Sequence, residues 1–471
     1  MKLPFLKTMV GKAFIDTAKE MNVQVYVVGG YVRDQLLNRA IKKDIDLVVV
    51  GNGIEYATNV SKKFKRVNLS IYKNFGTAQL KFPNNLEIEI VGARKESYRA
   101  DSRKPIVEDG TLTDDLARRD FTINALAYNL IDDGELVDKY KGLSDLDNKI
   151  IKTPLDPDVT FSDDPLRMLR AIRFACQLNF DIEPLTLQSI ARNADRITIL
   201  SKERITDELN KMILCTKPSI AFLLLDECGL LPYILPELLK LKGVTTIDNK
   251  AHKDNFYHTL QVLDNITQFD EDNLWLRWAA ILHDIGKPAT QRFDKEIGWT
   301  FHGHEVVGAK MTTHIFNSLK LPMNEKMKYV QKLVNLHLRP IALTHEVTDS
   351  AIRRLIVDCG YDLDDLLKLC KADVTSKNPM RKERYLKRFD QLAHKIAEVE
   401  ERDAMRNWRP AISGDDIMNL LSIRPGVDVG LIKEEVSNAI LNGDIPNERE
   451  PALKKMFDIA ATKGYKPSKN I

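Results

Sequence analysis

Short runs dense in β-branched residues are confined to the first 92 positions of this chain: VQVYVVGG (23–30), IDLVVV (45–50), TAQLKF (77–82) and LEIEIVG (86–92). Each is bounded by Gly, Asn or Pro, so each reads as a strand, and together they predict one small mixed sheet. Ahead of them Val10, Phe14, Ala18 and Met21 recur at steps of four, four and three, which predicts an amphipathic helix over 6–21. From about residue 160 the period changes. PLRMLRAIRFACQL, ERITDELNKMILC and LWLRWAAILHDIG carry helical spacing, and strand signals fade to the end. The expected fold class is therefore α+β, a mixed sheet with helices in front and an all-α region behind.

Two kinds of break divide this order. Residues 95–115, KESYRADSRKPIVEDGTLTDD, are charged and aperiodic and predict a long functional loop. Softer breaks fall at 240–252 and at 405–414, where Pro and Gly end one helix before the next. At roughly 100 to 200 residues per domain, a chain of 471 residues holds several, and the expected segments are 1–150, 151–245, 246–400 and 401–471. Hydrophobic residues at 44% and charged residues at 29% exclude disordered, collagen-like and membrane classes. The net charge of +3 neither demands nor excludes a nucleic-acid partner, because only local clustering would reveal one. Five cysteines without a C-x-x-C pair fit reduced thiols. Lys7 and Lys12 interrupt what a signal peptide would need, and no 18-residue apolar run occurs. The expectation is a soluble, cytoplasmic protein with no membrane partner.

In VYVVGGYVRD a strand runs into Gly29-Gly30 and a helix carrying Arg33. Glycine lets backbone N–H groups approach a phosphate, the helix start favours negative charge, and Arg33 adds a bidentate donor. The same run also reads as an ordinary tight turn. Asp44 and Asp46 lie two apart in the next strand, so both carboxylates leave one face. That pair is either an acidic solvated edge or the oxygen donors that bridge divalent cations beside a phosphate. Glu89, in LEIEIVG, completes such a cage or is an exposed strand glutamate.

GGYVRD, DID, RRDFTINALAYN (118–129), SDDPLRMLRAIRFA (162–175) and SKERITDELNKMI (201–213) follow in one order. This ordered set resembles the motifs of class II tRNA nucleotidyltransferases and bacterial poly(A) polymerases, over residues 22 to about 215. The resemblance implies a nucleotidyltransferase head at 1–150 and a helical nucleotide- and RNA-binding neck at 151–245. It implies that Asp44 and Asp46 bind two Mg²⁺ ions, that Gly30 and Arg33 hold the triphosphate, that Arg119 meets phosphate, and that Asp120 and Asn124 meet the ribose. The implied reaction is in-line attack of an RNA 3′-hydroxyl on the α-phosphate of a nucleotide, through two metals.

Arg167, Arg170 and Arg173 recur every three residues beside an apolar stripe of Leu166, Leu169 and Ile172, after a helix start at Pro165. All three arginines are assigned to nucleotide binding. Asp164 and Arg167 present an acceptor beside a fork of donors. Cytosine and adenine each carry an amino donor next to a ring-nitrogen acceptor, so one Asp and one Arg would admit C and A and reject U and G. A capping aspartate with an i, i+3 surface ion pair is the plainer reading. The family it resembles uses E-D-x-x-R here, and this chain has Asp163 in place of the Glu.

In the helical half, His258, the adjacent His283-Asp284, His304, His337 and Asp373 follow in the order H…HD…H…H…D. This pattern resembles the HD phosphohydrolase superfamily, over about 255–376. It implies an HD domain at 246–400 and a second divalent metal, Mg, Mn, Ni, Co or Fe, because imidazole and carboxylate donors without thiolate suit such ions. His304 fits the HGHE register better than His302. The stretch 376–388 has six Lys or Arg against one Glu, and the last 21 residues have five Lys against one Asp. Both suit RNA phosphates or a solvated helix face, and 401–471 reads as a tRNA-binding tail.

The reading these features favour is template-independent addition of C, C and A to the 3′ end of tRNA from CTP and ATP. Poly(A) polymerase and an A-adding enzyme share the chemistry. From another class, the chain reads as an HD phosphohydrolase whose front domain only binds nucleotide, and most remotely as a non-catalytic RNA-binding protein.

Overall fold

Strand alternation sorts the front of the chain into two faces. In the computed structural model, which describes residues 3–466 except 41–42, 74–75, 100–101, 132–133, 249, 344–347, 377, 404 and 406–407, the chain separates into two compact units, Met1–Pro236 and Glu237–Ile471. In the first, α1 (Met9–Met21) is capped by Thr8, whose hydroxyl accepts from the Gly11 N–H at 3.0 Å. Then come β1 (Gln24–Val28), α2 (Gly30–Leu36), β2 (Asp44–Val50), α3 (Gly53–Ser61), β3 (Asn68–Tyr72), β4 (Thr77–Lys81) and β5 (Glu87–Gly92). β6 (Arg94–Arg99), β7 (Ser102–Asp109), α4 (Leu112–Ala117), β8 (Leu126–Asn129) and β9 (Leu136–Asp138) follow.

Seven of these strands form one mixed sheet in the order β3-β4-β5-β2-β1-β8-β9. β2 and β5 run parallel, joined by a crossover that contains α3, and the other neighbours are antiparallel. Val25, Val27, Leu47, Val49, Leu80, Ile88 and Ile90 pack under Phe14, Ala18, Tyr56 and Val60 of the helices. The opposite face buries Tyr26, Val28, Val48 and Ala127 against Leu116 of α4, and continues into a polar end at β2 and β5.

The long loop expected at 95–115 is instead the antiparallel pair β6–β7 followed by α4, whose start is a capping box of Thr111 and Asp114. Lys95, Glu96, Arg103, Lys104 and Glu108 give these strands no apolar alternation, so the pattern that betrays a strand is missing. Positions 100–101 of that stretch lie outside the described residues.

Helices complete the unit: α5 (Gly142–Asp147), α6 (Pro157–Asp163), α7 (Leu166–Leu178), α8 (Pro184–Arg192), α9 (Lys202–Ile213) and α10 (Ser219–Glu227). The helix expected to start with Pro165 begins at Leu166, and Ser162-Asp163 close the preceding α6. α6 has its own start signal, Pro157 at its first position and Asp156 accepting from the Asp158 N–H at 2.8 Å.

Among the described residues the second unit is helical apart from two small ribbons, Thr246–Ile247 with Lys250–Ala251 and Arg292–Asp294 with Gly298–Thr300. Its last helices bury a separate apolar cluster that includes Ile412, Ile417, Ile432, Val436 and Met456. The five cysteines are buried thiols outside any disulfide. Among the described residues no helix is long and apolar enough to cross a membrane. Of the basic stretches, Arg381, Lys382, Arg384 and Lys387 are exposed on the helix Pro379–Asp403, while Lys377 and 467–471 lie outside the described residues.

Candidate active site and metal centre

The pleat of β2 sends Ile45 and Leu47 into the core and Asp44 and Asp46 together to the other face. The cross-strand row through Asp46 reads Gln79, Glu89, Asp46, Val28, Ala127. Asp46 thus has Glu89 on one side and, on the other, the strand that ends in the glycine turn. Gly29 sits at φ +73°, and a Cβ built there would lie 3.6 Å from Asp46 Oδ2 and 3.1 Å from Arg119 Nη1. Only a residue without a side chain leaves this space between carboxylate and guanidinium open. Arg119 is oriented by buried Asp115, whose Oδ2 lies 3.1 Å from Arg119 Nη2 and whose Oδ1 accepts from Arg118 Nε at 3.0 Å.

Desolvation, and next the negative charge of Asp46, push the Glu89 carboxyl above its usual pKa, while Arg94 works against them. Asp44, Asp46 and Glu89 share one face, Asp46 and Glu89 in register, and form an oxygen-donor set suited to a hard divalent cation. On the Glu89 side of the row opens a cleft of about 390 Å³ lined by Tyr72, Thr77, Gln79, Glu89 and Arg94, none of which except Glu89 is marked by a sequence motif.

Arg33, read from sequence as a triphosphate donor, is only 2% exposed. Its Nε and Nη2 donate to Asp34 Oδ1 at 2.9 and 2.7 Å, and its Nη1 donates to Asn124 Oδ1 at 2.7 Å. Asn124 in turn donates to Asp120 Oδ1 at 3.0 Å, and Asp120 Oδ2 accepts from Arg170 Nε at 2.7 Å. Burial alone would raise the Asp120 pKa, but the charge of Arg170 and hydrogen bonds from Asn124 and Arg170 outweigh it and hold it at about 2. Arg33, Arg170 and Arg173 all lie over the ring of Phe174, at 4.8, 5.3 and 4.1 Å from its centre. Arg173 is engaged by Glu208 of α9 at 2.6 Å and by Gln177 at 2.9 Å. Arg33, Asp120, Asn124 and Arg170 thus form one internal chain linking α2 to α7, and Arg173 fastens α7 to α9.

Asp164 and Arg167 flank Pro165 at the entrance of α7. Asp164 Oδ1 accepts from the Leu166 N–H at 3.2 Å, and Arg167 Nη2 donates to the Arg118 carbonyl at 2.6 Å. Both side chains are partly exposed, and Arg167 lines a second cleft, of about 230 Å³, with Lys95, Arg118 and Asp163.

In the second unit, helix ends bring the six HD residues together. His258 lies on Asn255–Ile266, His283 and Asp284 follow Leu274–Leu282, His304 opens His304–Ser318, His337 closes Glu325–Leu336 and Asp373 ends Leu363–Asp373. Two groups of ligating atoms result: His258, His283 and Asp373, and Asp284, His304 and His337. Asp284 faces both, Oδ2 lying 3.6 Å from His258 Nε2 and 3.3 Å from His283 Nε2, and Oδ1 3.3 Å from His304 Nε2.

His283, His304 and His337 turn Nδ1 to the carbonyls of Ala280, Phe301 and Val334 at 2.8, 2.8 and 2.7 Å. That anchoring puts the proton on Nδ1 and leaves Nε2 as the inward donor, the form a metal requires. His283 Nε2 is buried without a hydrogen-bond partner, which fits an ion as its missing neighbour. Burial pulls His337 down to about 4, so this imidazole is neutral at pH 7. Lys287, absent from the sequence reading, reaches Asp284 Oδ2 at 2.6 Å, and Lys253 meets His258 Nδ1 at 2.8 Å. Lys287 stands three residues after Asp284, a helix-turn spacing that marks it in sequence. His302 is exposed, and the register is that of His304.

Comparison with known proteins finds matches in both units. Three protein families match: "Poly A polymerase head domain" over 25–152, "Probable RNA and SrmB- binding site of polymerase A" over 179–241, and "HD domain" over 255–399. The A-adding tRNA nucleotidyltransferase of Deinococcus radiodurans is 35% identical over 350 residues, covering 72% of this chain and 77% of that protein. The multifunctional CCA protein of Haemophilus influenzae is 32% identical over 405 residues, covering 80% and 91%. The fold matches the crystal structure of a Bacillus stearothermophilus CCA-adding enzyme in complex with CTP, with TM-score 0.64 and 23% identity over 98% of this chain and 99% of that one.

Proposed function

Because this chain belongs to the family of tRNA nucleotidyltransferases and poly(A) polymerases, we propose that it completes the 3′ end of tRNA by adding C, C and A from CTP and ATP. The observation that carries the reading is the carboxylate row of Asp44, Asp46 and Glu89 beside the glycine turn and Arg119. The head and HD families imply dependence on a divalent metal, and in the front unit Asp44 and Asp46 would hold Mg²⁺. Bound there, the ion supplies positive charge that lowers the pKa of the attacking hydroxyl and neutralises the leaving pyrophosphate.

The protein's own groups do the rest. Gly29 and Gly30 give the triphosphate room, and Arg119 donates to it. The RNA 3′-oxygen forms a bond to the α-phosphorus as the bond to pyrophosphate breaks, and Glu89, in register with Asp46, takes the hydroxyl proton. Arg33, Asn124, Asp120 and Arg170 keep α2 and α7 in register. Asp164 and Arg167 read the base edge, and Arg173 holds their helix. The chain works as a head (1–150), neck (151–245), HD domain (246–400) and tRNA-binding tail (401–471).

Incubation with a tRNA lacking its 3′ end, Mg²⁺ and each labelled nucleotide in turn tests this. Two C and one A followed by a stop are expected. The 35% identity to an A-adding enzyme favours one second reading, under which only A enters, and only on a tRNA already ending in CC. Exchanging Asp164 or Arg167 for Ala is expected to shift the preference for C and A over U and G by roughly 10-fold or more, from 1–3 kcal/mol per bidentate contact. Unchanged selectivity with intact incorporation counts against the side-chain template.

The HD residues support a second, hydrolytic activity on phosphoesters such as the cyclic phosphates of RNA ends. His258, His283, Asp284, His304, His337 and Asp373 would hold Mg, Mn, Ni, Co or Fe. Elemental analysis of the purified chain is expected to find a divalent metal that His283→Ala loses together with phosphodiesterase activity. A wild type that is metal-free and inert rejects the second activity.

A further inference from the structure

The reading above fixes one side of the reacting phosphorus. In-line displacement places the attacking oxygen opposite the leaving pyrophosphate. With the triphosphate at Gly29 and Arg119, on the β1 side of Asp46, the attacking hydroxyl arrives from the β5 and β4 side. That is where the cleft of about 390 Å³ opens, within the roughly 300–1,000 Å³ typical of small-ligand sites.

Strand register places its walls on the carboxylate face. Glu89 pairs with Asp46, Gln79 with Glu89, and Tyr72 with Thr77, two residues along β4 from Gln79. Paired residues, and residues two apart, share a face, so Tyr72, Thr77, Gln79, Glu89 and Asp46 project together. Tyr72 is 47% exposed, an aromatic ring available to a planar partner at the end of a strand. Arg94 supplies positive charge close enough to offset that of Glu89. Gln79 Nε2 donates to Glu87 Oε2 at 3.0 Å, which leaves its carbonyl to accept. A ring for a base, a guanidinium for a phosphate and an amide for a sugar hydroxyl are what one nucleotide of single-stranded RNA needs.

We propose that Tyr72, Gln79 and Arg94 form the subsite that seats the 3′-terminal nucleotide of the RNA primer, Tyr72 stacking on its base and Arg94 meeting its phosphate. These residues position the attacking hydroxyl and leave nucleotide choice to other groups. The inference rests on the chain being a nucleotidyltransferase, and the test separates the two.

Steady-state incorporation by the full chain gives KM for primer RNA and KM for nucleotide independently. Tyr72→Ala and Arg94→Ala are expected to raise the primer KM roughly 10-fold or more while the nucleotide KM stays within about twofold, and Tyr72→Phe, which keeps the ring, restores the primer KM. A primer whose terminal base is photoreactive is expected to crosslink in the wild type within 68–81. If the wild type incorporates nucleotide but the folded Ala variants keep the wild-type primer KM, or nucleotide KM rises in parallel, the subsite is overturned and the nucleotidyltransferase reading stands. A crosslink that maps elsewhere overturns it as well. A wild type that incorporates nothing overturns the reading underneath, and the subsite with it.

Discussion

Asp46→Ala is expected to reduce nucleotide incorporation by roughly 10³-fold or more, because a lost metal ligand removes several kcal/mol of charge stabilisation at the reacting phosphate. The fold should survive. Asp46 is exposed at the polar end of the sheet, beside another carboxylate, and its neighbours Ile45 and Leu47 keep the core contacts. Its removal relieves repulsion with Glu89, so the thermal midpoint is expected to stay within a few degrees of the wild type. Labelled-nucleotide incorporation and a thermal melt on the same preparation check both halves. A folded Asp46→Ala protein with near-normal activity would remove the basis for the enzyme assignment.

Asp120→Ala is expected to fail in the opposite way, losing stability and activity together. Asp120 is 8% exposed and accepts from Asn124, from the Phe121 N–H and from Arg170. Its removal strands Arg170 and loosens the link through Asn124 to Arg33. Breaking a buried charge pair costs roughly 3–5 kcal/mol, and the lower end applies because Arg170, 35% exposed, regains water. A misplacement of α2 against α7 by about 1 Å would lower turnover roughly 10²-fold.

The linkage has a definite sign. The folded pKa of about 2 lies below the ordinary 3.8, so the stabilisation is fully present above pH 4 and fades as pH falls toward 2. It amounts to roughly 2.5 kcal/mol at neutral pH and about half that at pH 3. Urea unfolding of wild type and Asp120→Asn at pH 7 and pH 3 is the check. A stability gap that does not shrink on acidification would mean that the Asp120 charge is not what holds the network.

Sequence legibility followed the range of the interactions involved. β1, β2, β4 and β5 announce themselves as short runs bounded by Gly, Asn or Pro and rich in β-branched residues, and the period of two along β2 places Asp44 and Asp46 side by side. β8 is buried at every position and four residues long, and β9 has three residues, so neither offers an alternation to detect. The arginines of α7 read as a single stripe because their spacing is local. Their partners are 49, 50 and 35 residues away, and they divide the stripe among the Arg118 carbonyl, Asp120 and Glu208. No one-dimensional pattern carries that division, and for the same reason Arg33 reads as a triphosphate donor while its guanidinium is buried against Asp34 and Asn124. The HD residues were legible as an ordered set of residue types, whereas the position of Asp284 between two groups of donors depends on how five helix ends converge.

The three imidazoles, each tied through Nδ1 to the carbonyl three residues earlier in the chain, give that convergence a thermodynamic character. Their ring orientations are set by covalent chain and helix geometry before any cation arrives, so little rotational freedom remains to be lost on binding. Loading and stripping the ion should therefore be a local exchange, with the surrounding helices acting as a rigid mould and not as a polypeptide that must assemble around its guest.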